Sequence, residues 1–243
     1  MNLEKTSLNS LQKATNWVVL NYKKVIIISG VVFLVGGFFL TYKFYRDSLE
    51  QSAHASFVSC VNVLDAKGQV DGTPFRSEQE KWTKVAEVFE EGYKKNKSAS
   101  IAPMFLAFKA EALINLGKIN ESIELLKKVV SLLSEGALKD SYILKLALLQ
   151  IDSGNEALLS DGILKLVMLS EKDKSPVNDI ALFRLGEYYL IKQDIVAAKK
   201  YLNILVLNYG NKKENTSIWA KKGLEKLSLI SGDKSKQIEA EID

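Results

Sequence analysis

The chain has very little of the chemistry that most enzymes use. Its 243 residues include one histidine, His54, and one cysteine, Cys60. A multi-histidine metal site and an intrachain disulfide are therefore excluded, and Cys60, in the apolar run 57–64, is expected to be a small buried hydrophobe. The sequence also has no glycine-rich phosphate loop, no paired-cysteine metal motif and no nucleophile elbow. We therefore predict no catalytic, cofactor-binding or metal-binding residues, and no enzyme.

Strand signals are also missing. The chain has three prolines and fourteen glycines, and after residue 42 no stretch alternates apolar and polar residues for long enough to form a strand. Apolar residues instead recur at helical spacing, with short breaks between the segments. The predicted fold class is all-α.

Positive charge is concentrated at the N-terminus. Residues 1–24 carry four lysines against one glutamate, which accounts for +3 of the overall charge of +4. The rest of the chain is therefore close to neutral and lacks the basic surface of a nucleic-acid-binding protein. The basic segment is better explained by membrane topology and anionic lipid headgroups.

One uncharged apolar run, 25–42, follows that basic segment. At about 1.5 Å rise per residue, its length nearly matches a hydrocarbon core of roughly 30 Å, and aromatic residues flank it on both sides. A buried core helix is one alternative, but a core helix rarely lacks a polar stripe for so long. A cleaved signal peptide is the other, but the small-x-small sequence at Ala53-His54-Ala55 lies well beyond the run. We predict an uncleaved membrane-spanning helix.

The charges on the two sides of the span predict its orientation. Residues 43–66 carry two basic and three acidic side chains, a balance of −1, against +3 for residues 1–24. The positive-inside bias therefore places the N-terminus in the cytoplasm and the large C-terminal domain outside it.

A repeat follows the span. Gly117, Gly154, Gln193 and Gly232 each lie at a join between two helical segments, and they are 37, 39 and 39 residues apart. A small residue lies seven positions before each of the first three joins, where a second helix is expected to cross closely. The three small residues are Ala110, Ala147 and Gly186. Helix pairs with apolar stripes on both members stack on their neighbours as a solenoid.

Two segments resemble the tetratricopeptide repeat. The first, FLAFKAEALINLGKINESIELLKKVV, has Ala110, Gly117, Ser122 and Leu126 at the small, turn, small and large positions. The second, LFRLGEYYLIKQDIVAAKKYLNILV, is similar to the same motif. The middle unit, 144–169, departs from it, because its second helix is displaced by about three residues before Gly162.

The layout of the whole chain resembles the bacterial family of YfgM-like ancillary subunits of the SecYEG translocon. The resemblance implies a single-pass inner-membrane protein whose periplasmic repeat domain binds the translocon and periplasmic chaperones. The expected segments are a cytoplasmic N-terminus (1–24), a membrane span (25–42), a juxtamembrane helical pair (43–98), tetratricopeptide-like repeats (99–232) and a charged tail (233–243).

In such a solenoid the first helix of each pair lines the concave side, so its residues outside the packing stripe are candidates for partner binding. These candidates are Phe108, Glu111, Asn115, Lys145, Asp152, Arg184, Glu187 and Ile191. Phe108 could alternatively belong to the core between units. A mixed apolar and charged groove suits a partner helix or an extended peptide.

Two functions remain open at this point. The first is a membrane-anchored protein-binding module of the secretion or envelope-assembly machinery. The second is a structural scaffold that holds a membrane complex or a homo-oligomer together. Crosslinking distinguishes them, because a binding module recovers translocon or chaperone partners and a scaffold recovers mainly itself or one fixed complex.

Overall fold

The computed structural model describes residues 12–13, 15–65, 69–70, 73–172, 174–210 and 216–231. The predicted join at Gly232, the tail 233–243 and most of the basic N-terminal segment lie outside the described residues. The chain divides into two compact units, Met1–Ala55 and Ser56–Asp243.

The first unit contains most of a long helix, α1, at Tyr22–Asp65. Among the described residues, α1 is the one helix that is long and apolar enough to cross a membrane, and 0% of its apolar window is buried within the chain. The apolar run is therefore not a buried core helix of this chain. Helix α1 does not end at Tyr42, where the apolar run ends, and continues through Arg46, whose guanidinium pairs with Glu50 at 3.2 Å.

The second unit is helical apart from a two-residue antiparallel pair, β1 (Gln69–Val70) with β2 (Thr73–Pro74). Its helices are α2 (Glu78–Lys95), α3 (Ala102–Asn115), α4 (Ile119–Leu132), α5 (Ala137–Asp152), α6 (Glu156–Glu171), α7 (Asn178–Ile191), α8 (Ile195–Tyr209) and α9 (Ile218–Ser231). The described part of the chain is thus all-helical in class, as predicted.

The residues at the start of α2 explain why that helix begins where it does. Ser77 Oγ accepts a hydrogen bond from Glu80 N at 3.1 Å, and Glu80 Oε2 accepts one from Arg76 N at 2.7 Å. This arrangement is a variant of the capping box, and it satisfies two backbone donors that would otherwise have no partner at the helix start.

Helices adjacent in sequence pack on one another, and the closest pairs in the repeat region are α3 with α4, α5 with α6, and α7 with α8. These are the three pairs that the joins at Gly117, Gly154 and Gln193 predict. Contacts from α4 to α5 and from α6 to α7 are less extensive, and α7 also contacts α9. The region is therefore built from helix hairpins that stack in chain order.

The three described joins share one backbone conformation. Gly117, Gly154 and Gln193 have φ of 72°, 73° and 61°, which is the left-handed region. At Gly117 the bonds Gly117 N to Ile114 O (2.9 Å) and Lys118 N to Leu113 O (2.9 Å) form a Schellman motif. Gln193 makes the same pair of bonds, with Leu190 O and, through Asp194 N, with Tyr189 O. The join thus ends one helix and starts the next within a few residues.

Small residues lie at the predicted helix crossings. Ala110 is fully buried, and its carbonyl oxygen accepts a hydrogen bond from Ser122 Oγ at 2.9 Å. A β-carbon built on Gly186 would lie 2.5 Å from Leu202 Cδ2. These contacts confirm that the second helix of each hairpin passes directly over the small residue of the first.

The middle hairpin has the same crossing at a shifted position. Ser122, which contacts Ala110, lies five residues after its join, but the residue of α6 against Ala147 is Gly162, eight residues after Gly154. A β-carbon on Gly162 would be 2.7 Å from Ala147 O and 2.9 Å from Ile151 Cγ1. The three-residue displacement predicted from the sequence is present.

Candidate binding face

The candidate residues occupy the first helices of the three hairpins, α3, α5 and α7. Asn115, Asp152 and Ile191 are the last residues of these helices and are exposed, and Ile191 is 81% exposed. The three residues occupy equivalent positions in their hairpins, because each lies two residues before the left-handed residue of its join. We call the set of candidates on α3, α5 and α7 the first-helix face.

Glu111 and Lys145 connect two hairpins on this face. Lys145 Nζ on α5 donates to Glu111 Oε2 on α3, and each side chain remains about two-fifths exposed, at 40% and 43%. Asn115 Nδ2 donates to Glu111 O at 2.9 Å within α3. Opposite charges are therefore matched at this end of the face, and neither is left free to attract a charged ligand strongly.

Arg184 and Glu187 also pair, within α7. Arg184 Nη1 donates to Glu187 Oε2 at 2.9 Å. Glu187 Oε1 lies 3.9 Å from Lys226 Nζ of α9, and the guanidinium carbon of Arg184 lies 5.5 Å from the ring centre of Trp219. We call this group, with Lys222, the Trp219 cluster; it consists of Arg184, Glu187, Trp219, Lys222 and Lys226.

The sequence candidates did not include the three α9 members of this cluster. The available signal was the spacing of Trp219, Lys222 and Lys226, which places the three side chains on one face of a helix at 3.6 residues per turn.

Phe108 does not belong to the candidate face in the way predicted. Its ring is 5.1 Å from Phe89 in a stacked arrangement and 5.3 Å from Phe57 in an edge-on one. Phe105 joins the same cluster, which packs around buried Cys60. Since aromatic rings bury large apolar areas and stabilise by edge-to-face contact, Phe108 serves the core between α1, α2 and α3. This was the alternative open for Phe108, and the role of Cys60 as a small buried hydrophobe is confirmed.

A polar network lies inside the middle hairpin. Gln150 is fully buried on α5, and its Nε2 donates to Asp161 Oδ2 on α6 at 2.6 Å, while Lys165 pairs with the other carboxylate oxygen. The bonds from Lys165 and then Gln150 hold the pKa of Asp161 below its ordinary value, against the opposing effect of partial burial. Leu113 and Tyr189 occupy the equivalent position in the other hairpins, so this network is specific to the shifted unit.

A groove of 410 Å³ lies between α2, α3 and the first join. Glu90 lies in it, 2.6 Å from Lys109 Nζ and 3.2 Å from Lys94 Nζ. The hydrogen bond from Lys109, followed by that from Lys94, lowers the pKa of Glu90. The groove is lined by ion-paired side chains and by Leu113 and Leu116, which suits surface contact better than chemistry on a small molecule.

Within the described residues, no group of three or more histidine, cysteine, aspartate or glutamate side chains is arranged to hold a metal ion. No family model matches the chain, and neither does any curated protein or solved structure.

Proposed function

We propose that the chain is a membrane-anchored protein-binding module. The apolar part of α1 anchors it in a bilayer, and the stacked hairpins, which we assign to the tetratricopeptide type, present the first-helix face to a partner polypeptide. The observation that carries the proposal is contact between side chains of stacked helices that are not adjacent in sequence, α3 with α5 and α7 with α9. Glu111 meets Lys145, and Arg184 meets Trp219.

A face of this kind suits a polypeptide better than a small ligand. Rigid helices hold it in place, it mixes aromatic, aliphatic and charged side chains, and it ends in the exposed Ile191. Interfaces are enriched in tryptophan, tyrosine and arginine, and a helix or an extended peptide can contact several stacked helices at once.

The layout of the chain extends the proposal to a location and to partners. We propose a single-pass protein of the bacterial inner membrane, with the N-terminus in the cytoplasm and the helical domain in the periplasm. Its resemblance to the YfgM-like family makes the secretory translocon and periplasmic chaperones the expected partners. Protease added to the outer face of the membrane should then remove residues beyond Tyr45, and protection of those residues would reject the orientation and the translocon assignment.

Crosslinking in intact membranes, followed by mass spectrometry, tests the binding role. The double variant Arg184→Ala/Glu187→Ala should recover less partner than the wild type while nearly keeping its melting curve, since a partly exposed ion pair within one helix contributes little to stability. Full partner recovery by a folded double variant would remove the first-helix face as the binding surface.

A structural scaffold is the second candidate. The observation that favours it is the exposure of Ile218 (62%) and Leu229 (64%) on α9, because exposed apolar residues on a helix suit contact with another copy or a fixed subunit. Recovery of only this chain, or of one constant complex, in the same crosslinking experiment would favour the scaffold.

A further inference from the structure

The Trp219 cluster lies where the α7 part of the first-helix face meets α9. It contains three cationic side chains, Arg184, Lys222 and Lys226, and one carboxylate, Glu187. Glu187 Oε2 is 2.9 Å from Arg184 Nη1, whereas Glu187 Oε1 is as far as 3.9 Å from Lys226 Nζ. By contrast, Glu111 and Lys145 match one for one at the other end of the face. The cluster therefore carries uncompensated positive charge.

Much of the hydrogen-bonding capacity of the cluster is unused. Among the described residues Arg184 donates through Nη1 to Glu187. Lys222 forms no ion pair within that part of the chain and lies 4.8 Å above the Trp219 ring. Since guanidinium and ammonium groups form their strongest hydrogen bonds with carboxylates, these cations are poised for a ligand rich in carboxylates.

The cluster has an apolar component as well. The Trp219 ring is half-buried and packs 5.2 Å from the ring of Phe183, so its position is fixed by the core of the last hairpin. Arg184 and Lys222 both lie near its face. Ile191, one turn beyond Glu187 on the same side of α7, adds an exposed aliphatic side chain. Tryptophan and arginine are enriched among the residues that contribute most to protein interfaces.

We propose that the Trp219 cluster binds an acidic polypeptide segment that places carboxylates against Arg184 and Lys222 and an apolar side chain against Trp219. The inference rests on the proposed binding function and specifies the chemistry of the partner. A polypeptide fits better than a nucleic acid, because the charge excess is small and Glu187 lies within it. It fits better than a bilayer surface, because Arg184 and Lys222 gather around one aromatic side chain where α7 contacts α9.

Trp219 itself provides the signal for a binding experiment. The full chain carrying Trp17→Phe and Trp82→Phe keeps Trp219 as its single tryptophan. In zwitterionic lipid nanodiscs it is titrated with a helix-forming peptide of glutamate and leucine, and separately with the lysine-and-leucine peptide of the same length. We expect a saturable change in fluorescence with the glutamate peptide, which weakens as salt is added, and none with the lysine peptide.

The variant Lys222→Glu/Lys226→Glu should weaken binding of the glutamate peptide at least tenfold. The matched control Lys199→Glu/Lys200→Glu makes the same change in charge on α8 and should stay within twofold of the parent. Circular dichroism checks that both variants fold. Equal loss in both variants, or no loss in either, would overturn the proposal, as would an equal response to the lysine peptide.

Two further outcomes separate this proposal from the binding function on which it rests. Nanodiscs of anionic phospholipid that change Trp219 fluorescence, with no response to the glutamate peptide, would assign the cluster to lipid and overturn the proposal. Unchanged recovery of a crosslinked partner by Lys222→Glu/Lys226→Glu would reject the acidic-segment assignment and leave the binding module intact. Failure of the wild type to recover any partner would reject the module itself.

Discussion

Gly186 on α7 lies directly against Leu202 on α8, so closely that a β-carbon at residue 186 would be 2.5 Å from Leu202 Cδ2 and 2.7 Å from its Cγ. Leu202 is fully buried. The absence of a side chain at one position and the presence of a large one at the other therefore set the distance between the two helices of the last hairpin.

Gly186→Leu should lower the free energy of unfolding by about 1–3 kcal/mol, because overpacking forces Leu202 from its place. The measurement is thermal unfolding of the full chain in detergent micelles, followed by circular dichroism. A double-mutant cycle provides the control, since Gly186→Leu should cost less in a Leu202→Ala background, where space is available. Equal costs in the two backgrounds would show that the two residues are not in contact.

Gly162→Ala tests the shifted crossing in the middle hairpin, because the two possible registers predict opposite changes in the free energy of unfolding. With Gly162 against Ala147 O, a backbone atom that cannot rotate away, alanine should destabilise by about 1–3 kcal/mol. If the hairpin had the same register as its neighbours, residue 162 would be an ordinary helix position. Alanine would then stabilise by up to about 1 kcal/mol through helix propensity. A rise in the melting midpoint would therefore contradict the displacement.

The hairpins could be predicted from the sequence because their signals are local. The join within each helix pair, the small residue seven positions earlier and the displaced Gly162 all follow from spacing along one or two helices. The ends of the candidate helices at Asn115, Asp152 and Ile191 follow from the same spacing.

The pairings on the first-helix face could not be predicted in the same way. Glu111 with Lys145, and Arg184 with Trp219, join residues of different hairpins, and which partner each charge meets depends on how those hairpins stack. The sequence also did not predict that the membrane span and the first juxtamembrane segment form one continuous helix, α1. A change from apolar to charged residues ends a hydrocarbon span but does not by itself end a helix.

Gln193 has the left-handed conformation that Gly117 and Gly154 have in the other joins, with φ of 61°. A residue with a β-carbon is disfavoured there by roughly 1–2 kcal/mol, while glycine costs roughly 0.4–1 kcal/mol through the entropy of the unfolded chain. Gln193→Gly should therefore stabilise the protein by about 0.5–1 kcal/mol, seen as a higher melting midpoint. The reciprocal change Gly117→Ala serves as the control and should destabilise. Loss of stability in Gln193→Gly would mean that the Gln193 side chain makes a contribution beyond its backbone conformation.

Glu90 should make stability depend on pH below neutrality. Its carboxylate lies between Lys109 and Lys94, and these partners lower its pKa in the folded state. A carboxyl with a depressed folded pKa stabilises above its unfolded pKa of about 4.3, and this contribution is lost as pH falls through the folded value. Glu90→Gln should thus reduce stability at pH 7 by at most about 1 kcal/mol, since the site is partly exposed, and the difference from the wild type should vanish in acid.

Glu87→Gln is the matched control and should change little at either pH, because the Glu87 side chain is 60% exposed and its carboxylate lies 3.8 Å from Lys84 Nζ. Melting midpoints of the three proteins measured between pH 7 and pH 3 give the comparison, and a Glu90→Gln deficit that persists unchanged in acid would show that the glutamate acts through packing rather than through its charge.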